Sequence, residues 1–459
     1  MAHQSSLLDR LPPEVIHIIL RFLSQAELCA LCRVNKVYQT LAEPILYLSL
    51  EWTWLPRQAP PVCAFLRTIL RRPDLAAHVH NVALLGSVFY EPRFRGKPVP
   101  MVPTGALCLT EATRTIDLAR VPFATGWKQQ LHAGIMDAIV ALLLSQLHNL
   151  TNLTLGPNFT MYTDTLGMLL RWTLCTDGSH GLSTFRYLRE VDYEQRVHVH
   201  RAMQGGSTAN VLPFFYLPSV RAFTVGLDNP NLLIWPATLP SSPTITSLDI
   251  AYVREGHIGN LLAVTPALKT LRWQFHYSPR SKHATSTSVI DLDEFSIALS
   301  KVRNTLKELS ISARCCPGPG ETELPFLNLK GILNGLADFC HLHKLEIPLP
   351  FLVTFSPDKG VRLQDAVPPQ ICHLTLTDEL LDHRVISENL WDTGGNDWDD
   401  DALLADITRW LSGYKVSHPN LSTLHLLSKT LEFYLESEEL QELGRRHGMT
   451  IYISSQARG

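Results

Sequence analysis

Seven apolar residues, Val15, Ile16, Ile18, Ile19, Leu20, Phe22 and Leu23, follow the Pro12-Pro13 pair. They predict a short helix that is greasy on more than one side and must therefore be covered twice. The prolines suit its first turn, where their missing N–H groups have no intrahelical acceptor to lose. Ser24-x-x-Glu27 then has capping-box spacing and opens a second helix with Leu28, Leu31 and Cys32 on one side. Val34, Tyr38 and Leu41 continue into a third helix. Three short helices in about forty residues cannot bury this much apolar surface among themselves, so a partner is expected.

Beyond residue 48 the pattern changes to apolar-x-x-apolar-x-apolar. It occurs as Val79/Val82/Leu84, Leu150/Leu153/Leu155, Leu188/Val191/Tyr193, Val220/Phe223/Val225 and Ile245/Leu248/Ile250. It continues as Leu268/Leu271/Trp273, Leu306/Leu309/Ile311, Leu342/Leu345/Ile347, Ile371/Leu374/Leu376 and Leu421/Leu424/Leu426, with Met449/Ile451/Ile453 as a degenerate last copy. The final two apolar positions share one face of a short strand, and the first fits the turn entering it. Between copies, helices are expected at Val62–Arg72, Leu131–Leu147, Asp164–Leu174, Leu292–Val302, Leu327–Phe339, Asp401–Leu411 and Glu436–Arg446. A self-similar strand alternating with helices is the signature of a solenoid, although a parallel α/β sheet without solenoid form gives similar apolar runs.

The N-terminal string Leu11-Pro12-x-Glu14, followed by Ile19, Leu20, Leu23, Leu28, Leu31, Val34 and Tyr38, resembles an F-box, with Tyr where that family often has Trp. The rest resembles an irregular leucine-rich-repeat-like domain. Its copies are spaced 23 to 50 residues apart from Leu150 onward, and the Asn expected late in each repeat is mostly missing. Regular leucine-rich repeats are tighter, at about 20–29 residues. The resemblance implies an α/β protein with a three-helix F-box at 1–48. An irregular solenoid follows at 49–459, with parallel strands on the concave face and helices on the convex face. It also implies a substrate-recognition subunit of an SCF-type ubiquitin ligase, which is an adaptor rather than an enzyme. A Skp-type adaptor, and through it a cullin–RING ligase, would dock on Leu11, Pro12, Val15, Ile16, Leu20, Leu23, Leu28, Leu31 and Tyr38. A scaffold that binds the adaptor without promoting degradation is the alternative.

In such a solenoid the strand residues between core positions face the concave side. They include Asp192, Asp249, Arg272, Glu346 and His425, with His373 beside them, and form the candidate face for a protein substrate. Their mixed charge suits a folded protein or peptide better than nucleic acid or a fatty ligand. From about 86 to 130 a Pro- and Gly-rich insertion interrupts the pattern. Its basic patch, Arg93, Phe94, Arg95 and Lys97, fits either a phosphorylated or acidic partner or a mobile loop. A Ser/Thr-rich stretch at 278–290 and an acidic one at 392–401 read as a low-complexity loop and a helix start.

Composition narrows the chemistry further. The 459 residues carry 40 Lys and Arg against 43 Asp and Glu, a net charge of −3, which leaves no general nucleic-acid footprint. The longest apolar segment, Ile135–Leu147, contains Asp137, Ser145 and Gln146 and is too short to span a bilayer. No basic region leads into an apolar stretch at the N-terminus, and nine cysteines stand without a paired framework, so a cytoplasmic or nuclear location is expected. Cys29-x-x-Cys32 lacks a second pair, His198 and His200 lack a third ligand, and no phosphate-binding or nucleophile-elbow glycine motif is present. No catalytic residue, metal site or cofactor is expected.

Overall fold

The computed structural model describes residues 11–55, 58–87, 100–176, 181–194, 208–277, 287–315, 327–355, 361–381, 400–428 and 437–455. The chain divides into two compact units. The first holds residues 1–195 and 212–220, the second 196–211 and 221–459.

The first unit opens with three helices, α1 (Pro13–Leu20), α2 (Gln25–Cys32) and α3 (Lys36–Leu46). Strands β1 (Ser49–Thr53), β2 (Asn81–Leu85), β3 (Asn152–Leu155) and β4 (Glu190–Tyr193) then pair in parallel, in chain order. The helices of this unit that accompany them are α4 (Val62–Arg71), α5 (Pro73–Ala76), α6 (Leu109–Leu118), α7 (Ala124–His132), α8 (Met136–Ser145), α9 (Pro157–Thr160) and α10 (Asp164–Cys175). Every residue of α8 is buried, which is why its sequence is apolar almost all round. The expected helix over Leu131–Leu147 is broken by Gly134, whose φ of +76° suits glycine and where an added Cβ would collide with the Val102 carbonyl oxygen. The stretch read as a Pro- and Gly-rich insertion carries α6 and α7, which bury Ala112, Ile116 and Trp127. Its basic patch at 93–97 lies outside the described residues.

The second unit opens with α11 (Thr208–Val211), and its main sheet runs β5 (Ala222–Gly226), β6 (Ser247–Ala251), β7 (Thr270–Tyr277), β9 (Glu308–Cys315), β11 (Lys344–Pro348), β12 (His373–Thr377), β13 (Thr423–Ser428) and β14 (Thr450–Ser455). All its pairs are parallel, and each strand lies beside the next one in the chain. The two short strands skipped in this order, β8 (Val289–Asp291) and β10 (Asn328–Lys330), pair with each other. Helix α12 (Glu255–Leu262) follows β6, and α13 (Leu292–Leu299) follows β8. Beyond β11 come α14 (Leu349–Val353), α15 (Leu363–Ala366), α16 (Asp400–Leu411), α17 (Tyr414–Ser417) and α18 (Ser437–His447). The helix expected at Leu327–Phe339 is instead β10 and a short 3₁₀ turn at Asn334–Asp338. Gly331, with φ +78°, ends the strand there, and the edge of β8 supplies a pairing partner.

In every strand of the apolar triplet pattern the two in-strand residues point inward. Leu248, Ile250, Leu271, Trp273, Leu345, Ile347, Leu424 and Leu426 are all fully enclosed. Trp273 is central: its ring lies 4.3 Å from that of Phe295, and its indole N–H donates to the Val253 carbonyl at 3.0 Å. A buried Arg254–Glu255 pair, 2.6 Å apart, ties the start of α12 to the chain entering β8. The guanidinium donates to the Thr287 and Val289 carbonyls, and the Glu255 carboxylate accepts the Asp291 N–H. A pair so enclosed is tolerable because its remaining polar atoms are also bonded.

One detail recurs at the strand entrances. The carbonyl of the residue just before a strand accepts two successive N–H groups from the next. Arg221 O takes Thr246 and Ser247, Thr246 O takes Lys269 and Thr270, Lys269 O takes Lys307 and Glu308, and Lys307 O takes His343 and Lys344. These entrance residues therefore stand in a row along one end of the sheet.

Candidate functional site: the three-helix cap

The three N-terminal helices are fixed by their caps. The Pro12 carbonyl accepts the Val15 and Ile16 N–H groups and so starts α1. Ser24 and Glu27 form a reciprocal capping box: Glu27 N–H donates to Ser24 Oγ at 3.3 Å, and Ser24 N–H donates to Glu27 Oε2 at 2.7 Å. The Ser24 hydroxyl also donates to Glu27 Oε2 at 2.7 Å, and this bond, with the Ser24 N–H, holds the Glu27 carboxyl below its ordinary pKa. Asn35 caps α3 by accepting the Tyr38 N–H at 2.9 Å.

Ile16, Leu20, Leu28 and Ala42 form the core of the three helices, with Leu11, Leu23, Leu31, Cys32, Leu41, Ile45 and Leu46 packed around them. Tyr38 is also buried, at 5% exposure. The opposite stripe of α1 and the turn after it are open: Ile18 is 56% and Phe22 86% exposed, with Val15 beside them at i−3 from Ile18. Val34 and Val37, at the entry to α3, are each 63% exposed.

This splits the set of residues read as adaptor-binding. Pro12 and Val15 are exposed, and Leu11, Leu23 and Leu31 are half-buried. Ile16, Leu20 and Leu28 are buried in the core of the three helices, and Tyr38 is buried as well. The most exposed apolar side chains of this region, Ile18, Phe22, Val34 and Val37, stand outside that set; for Ile18 the surplus of apolar positions on α1 was the signal. Cys32 packs in the core periphery, while Cys29 is exposed.

The cap is anchored to the body of its own unit. Glu43 on α3 accepts from Arg72 at 3.1 Å and from the Gln39 amide at 2.7 Å. Burial pushes the Glu43 carboxyl up, but the Arg72 and Gln39 bonds outweigh it and leave its pKa lowered. Phe65 on α4 lies 5.9 Å from Tyr47 and 5.3 Å edge-on from Trp52, measured between ring centroids.

The sheet face holds the second set of expected residues. In the second unit one register row runs Thr224, Asp249, Arg272, Ser310, Glu346, Thr375, His425 and Tyr452. Asp249 and Arg272 are therefore direct neighbours, while Glu346 and His425 are each separated from the previous one by a Ser or Thr. His373 stands two residues before Thr375 on the same face of β12, and Asp192 belongs to the first unit, opposite Thr154. Burial pushes the Asp249 carboxyl up, against a 3.1 Å bond from the Gln274 amide and the nearby Arg272 charge. Burial also lowers the His425 imidazole, with Glu346 opposing, and its Nε2 lies 2.7 Å from Ser454 Oγ.

Among the described residues no group of His, Cys, Asp and Glu could hold a metal ion, and no helix is long and apolar enough to cross a membrane. No curated protein matches the chain. Residues 8–50 match the F-box-like family, so the three capped helices with their open apolar stripe constitute an F-box-like domain.

Proposed function

We propose that the chain is the substrate-recognition subunit of an SCF-type ubiquitin ligase. The observation that carries this reading is the exposed apolar set Val15, Ile18, Phe22, Val34 and Val37 on an F-box-like domain whose own core is already complete without it. F-box proteins generally act as adaptors. Docking a Skp-type adaptor would bury this surface, and the gain scales with about 25 cal/mol per Å² of apolar area covered. The parallel sheet, compatible with an irregular repeat array, would offer its row of Asp249, Arg272, Glu346 and His425, with His373, and in the first unit Asp192, to a protein substrate. The ligase would then supply the chemistry by holding the reactants together.

The test is co-expression of the full chain with a Skp-type adaptor. Ile18→Asp and Phe22→Asp should abolish co-purification while leaving the melting curve of the chain in place. Undiminished adaptor recovery with both variants would reject this surface. Partner abundance that stays constant after proteasome inhibition, with the adaptor bound, would favour the scaffold reading.

A further inference from the structure

The entrance row described under the fold has a chemistry of its own. Across β5, β6, β7, β9 and β11 its residues are Arg221, Thr246, Lys269, Lys307 and His343. Arg221, Lys269 and Lys307 are exposed. Among the described residues no hydrogen bond or ion pair engages their side chains. The row contains no carboxylate. The nearest one on these strands, Glu308, faces Lys344 at 3.9 Å. In a chain with a net charge of −3, such a file of uncompensated cations is a local segregation of charge.

We propose that this strand-entrance edge binds an acidic, carboxylate-rich segment of a partner protein. Strands lie about 4.8 Å apart, so the row spans about 19 Å, a length that an extended peptide covers with about three alternate side chains. Phosphate groups are met best by backbone N–H nests and forked guanidinium groups. Here the N–H groups of Thr246, Lys269, Lys307 and His343 are all committed to the preceding carbonyl. What remains is a line of separated positive charges, which fits a line of separated carboxylates. The edge is distinct from the sheet-face row and from the F-box-like surface, so the inference does not depend on adaptor docking.

The test is fluorescence anisotropy with the full chain and a labelled peptide alternating Glu with Ser. Binding should weaken steeply when ionic strength rises from about 0.05 M to about 0.5 M, as exposed charge pairs are screened. The double variant Lys269→Glu/Lys307→Glu should raise Kd by at least about tenfold, each reversal replacing an attraction by a repulsion. Arg114→Glu, an exposed cation on α6, should leave Kd unchanged. The same peptide with Gln for Glu should not bind. Circular dichroism melts establish that the variants are folded, and Lys269→Gln/Lys307→Gln provides a milder pair if the reversal unfolds the chain. The proposal is overturned if the Glu peptide fails to bind, if its Kd ignores the Lys variants, or if a phosphopeptide or single-stranded RNA of equal length binds more tightly through the same lysines.

Discussion

The F-box-like helices and the main sheet of the second unit draw on the same residue types and close very differently. In the sheet, Leu248, Leu271, Leu309, Leu345, Leu374 and Leu424 are enclosed to within 1% of full burial, because each strand delivers its inner face to a neighbour already in place. In the helices, Ile16 and Leu20 are buried while Ile18 and Phe22, only two residues further along in each case, stand open. A parallel sheet extended one strand at a time can always cover its last apolar row with the next helix or loop. Three short helices have no such supply, and exposed apolar surface on this scale is characteristic of an interaction site.

The sharpest way to break that comparison is to cut a large side chain from each region. Trp273→Ala removes a fully enclosed indole with its hydrogen bond to Val253 and its contact with Phe295. It should cost about 3–5 kcal/mol, measured by urea unfolding. Leu20→Ala should cost about 2–5 kcal/mol on the same grounds, confined to the helices and visible as local hydrogen exchange in α1–α3. Phe22→Ala should change stability by no more than about 0.5 kcal/mol, as for other exposed positions. If Phe22→Ala destabilised the chain as much as Leu20→Ala does, the contrast between the two stripes of α1 would be wrong.

How much of this was legible follows from the same geometry. The apolar triplets located β2–β7, β9 and β11–β14 because two inward residues separated by one outward residue are diagnostic of a half-covered strand. Strand β1 has the same spacing in Tyr47/Leu50/Trp52 but adjoins the last F-box helix, whose reading absorbed it. Strands β8 and β10 are three residues long and too short to show a period. On α1 the reading found the surplus of apolar residues but not its orientation. Ile18 and Leu20 lie about 200° apart on a helix wheel, and two greasy sides are equivalent until the packing of α2 and α3 chooses between them. The file of Arg221, Lys269 and Lys307 is invisible in sequence, since only strand register places such distant residues side by side.

Two buried ionisable groups, one in each unit, answer to pH in opposite ways. In the first unit Asp137 is buried, and its pKa is raised to about 7 by desolvation, although its carboxylate accepts the Thr165 and Leu166 N–H groups that open α10. Its folded pKa lies above the unfolded value, so stability from this group falls as pH rises from about 4 to about 7. In the second unit His418 is buried and its pKa is lowered by desolvation. The Trp410 indole N–H donates to its Nδ1 at 3.1 Å, and its Nε2 N–H donates to the Val367 carbonyl at 2.8 Å, an arrangement available only to the neutral ring. Its contribution is complete above the unfolded value of about 6.5 and is lost as pH falls below that. Urea titrations of Asp137→Asn and His418→Gln at several pH values should show opposite trends. The Asn variant should gain on the parent chain as pH rises through this window, and the Gln variant should gain as pH falls through it. Parallel trends would mean that one of the two protonation assignments is wrong.

A milder loss than that of Leu20→Ala tests the helices from their ends. Ser24→Ala removes the hydroxyl that accepts the Glu27 N–H and leaves Glu27 facing only the backbone N–H of residue 24. The loss should be about 1 kcal/mol, typical of a helix N-cap, and should appear as faster hydrogen exchange in the first turn of α2. Leu28, one turn into α2, belongs to the small core formed with Ile16, Leu20 and Ala42. Fraying of that turn therefore loosens α1 as well, and exchange should quicken there too. The sheet core shares no side chain with this cluster, and its exchange should stay as it is. A Ser24→Ala effect that reached β11–β13 would show that the helices do not melt as a local unit.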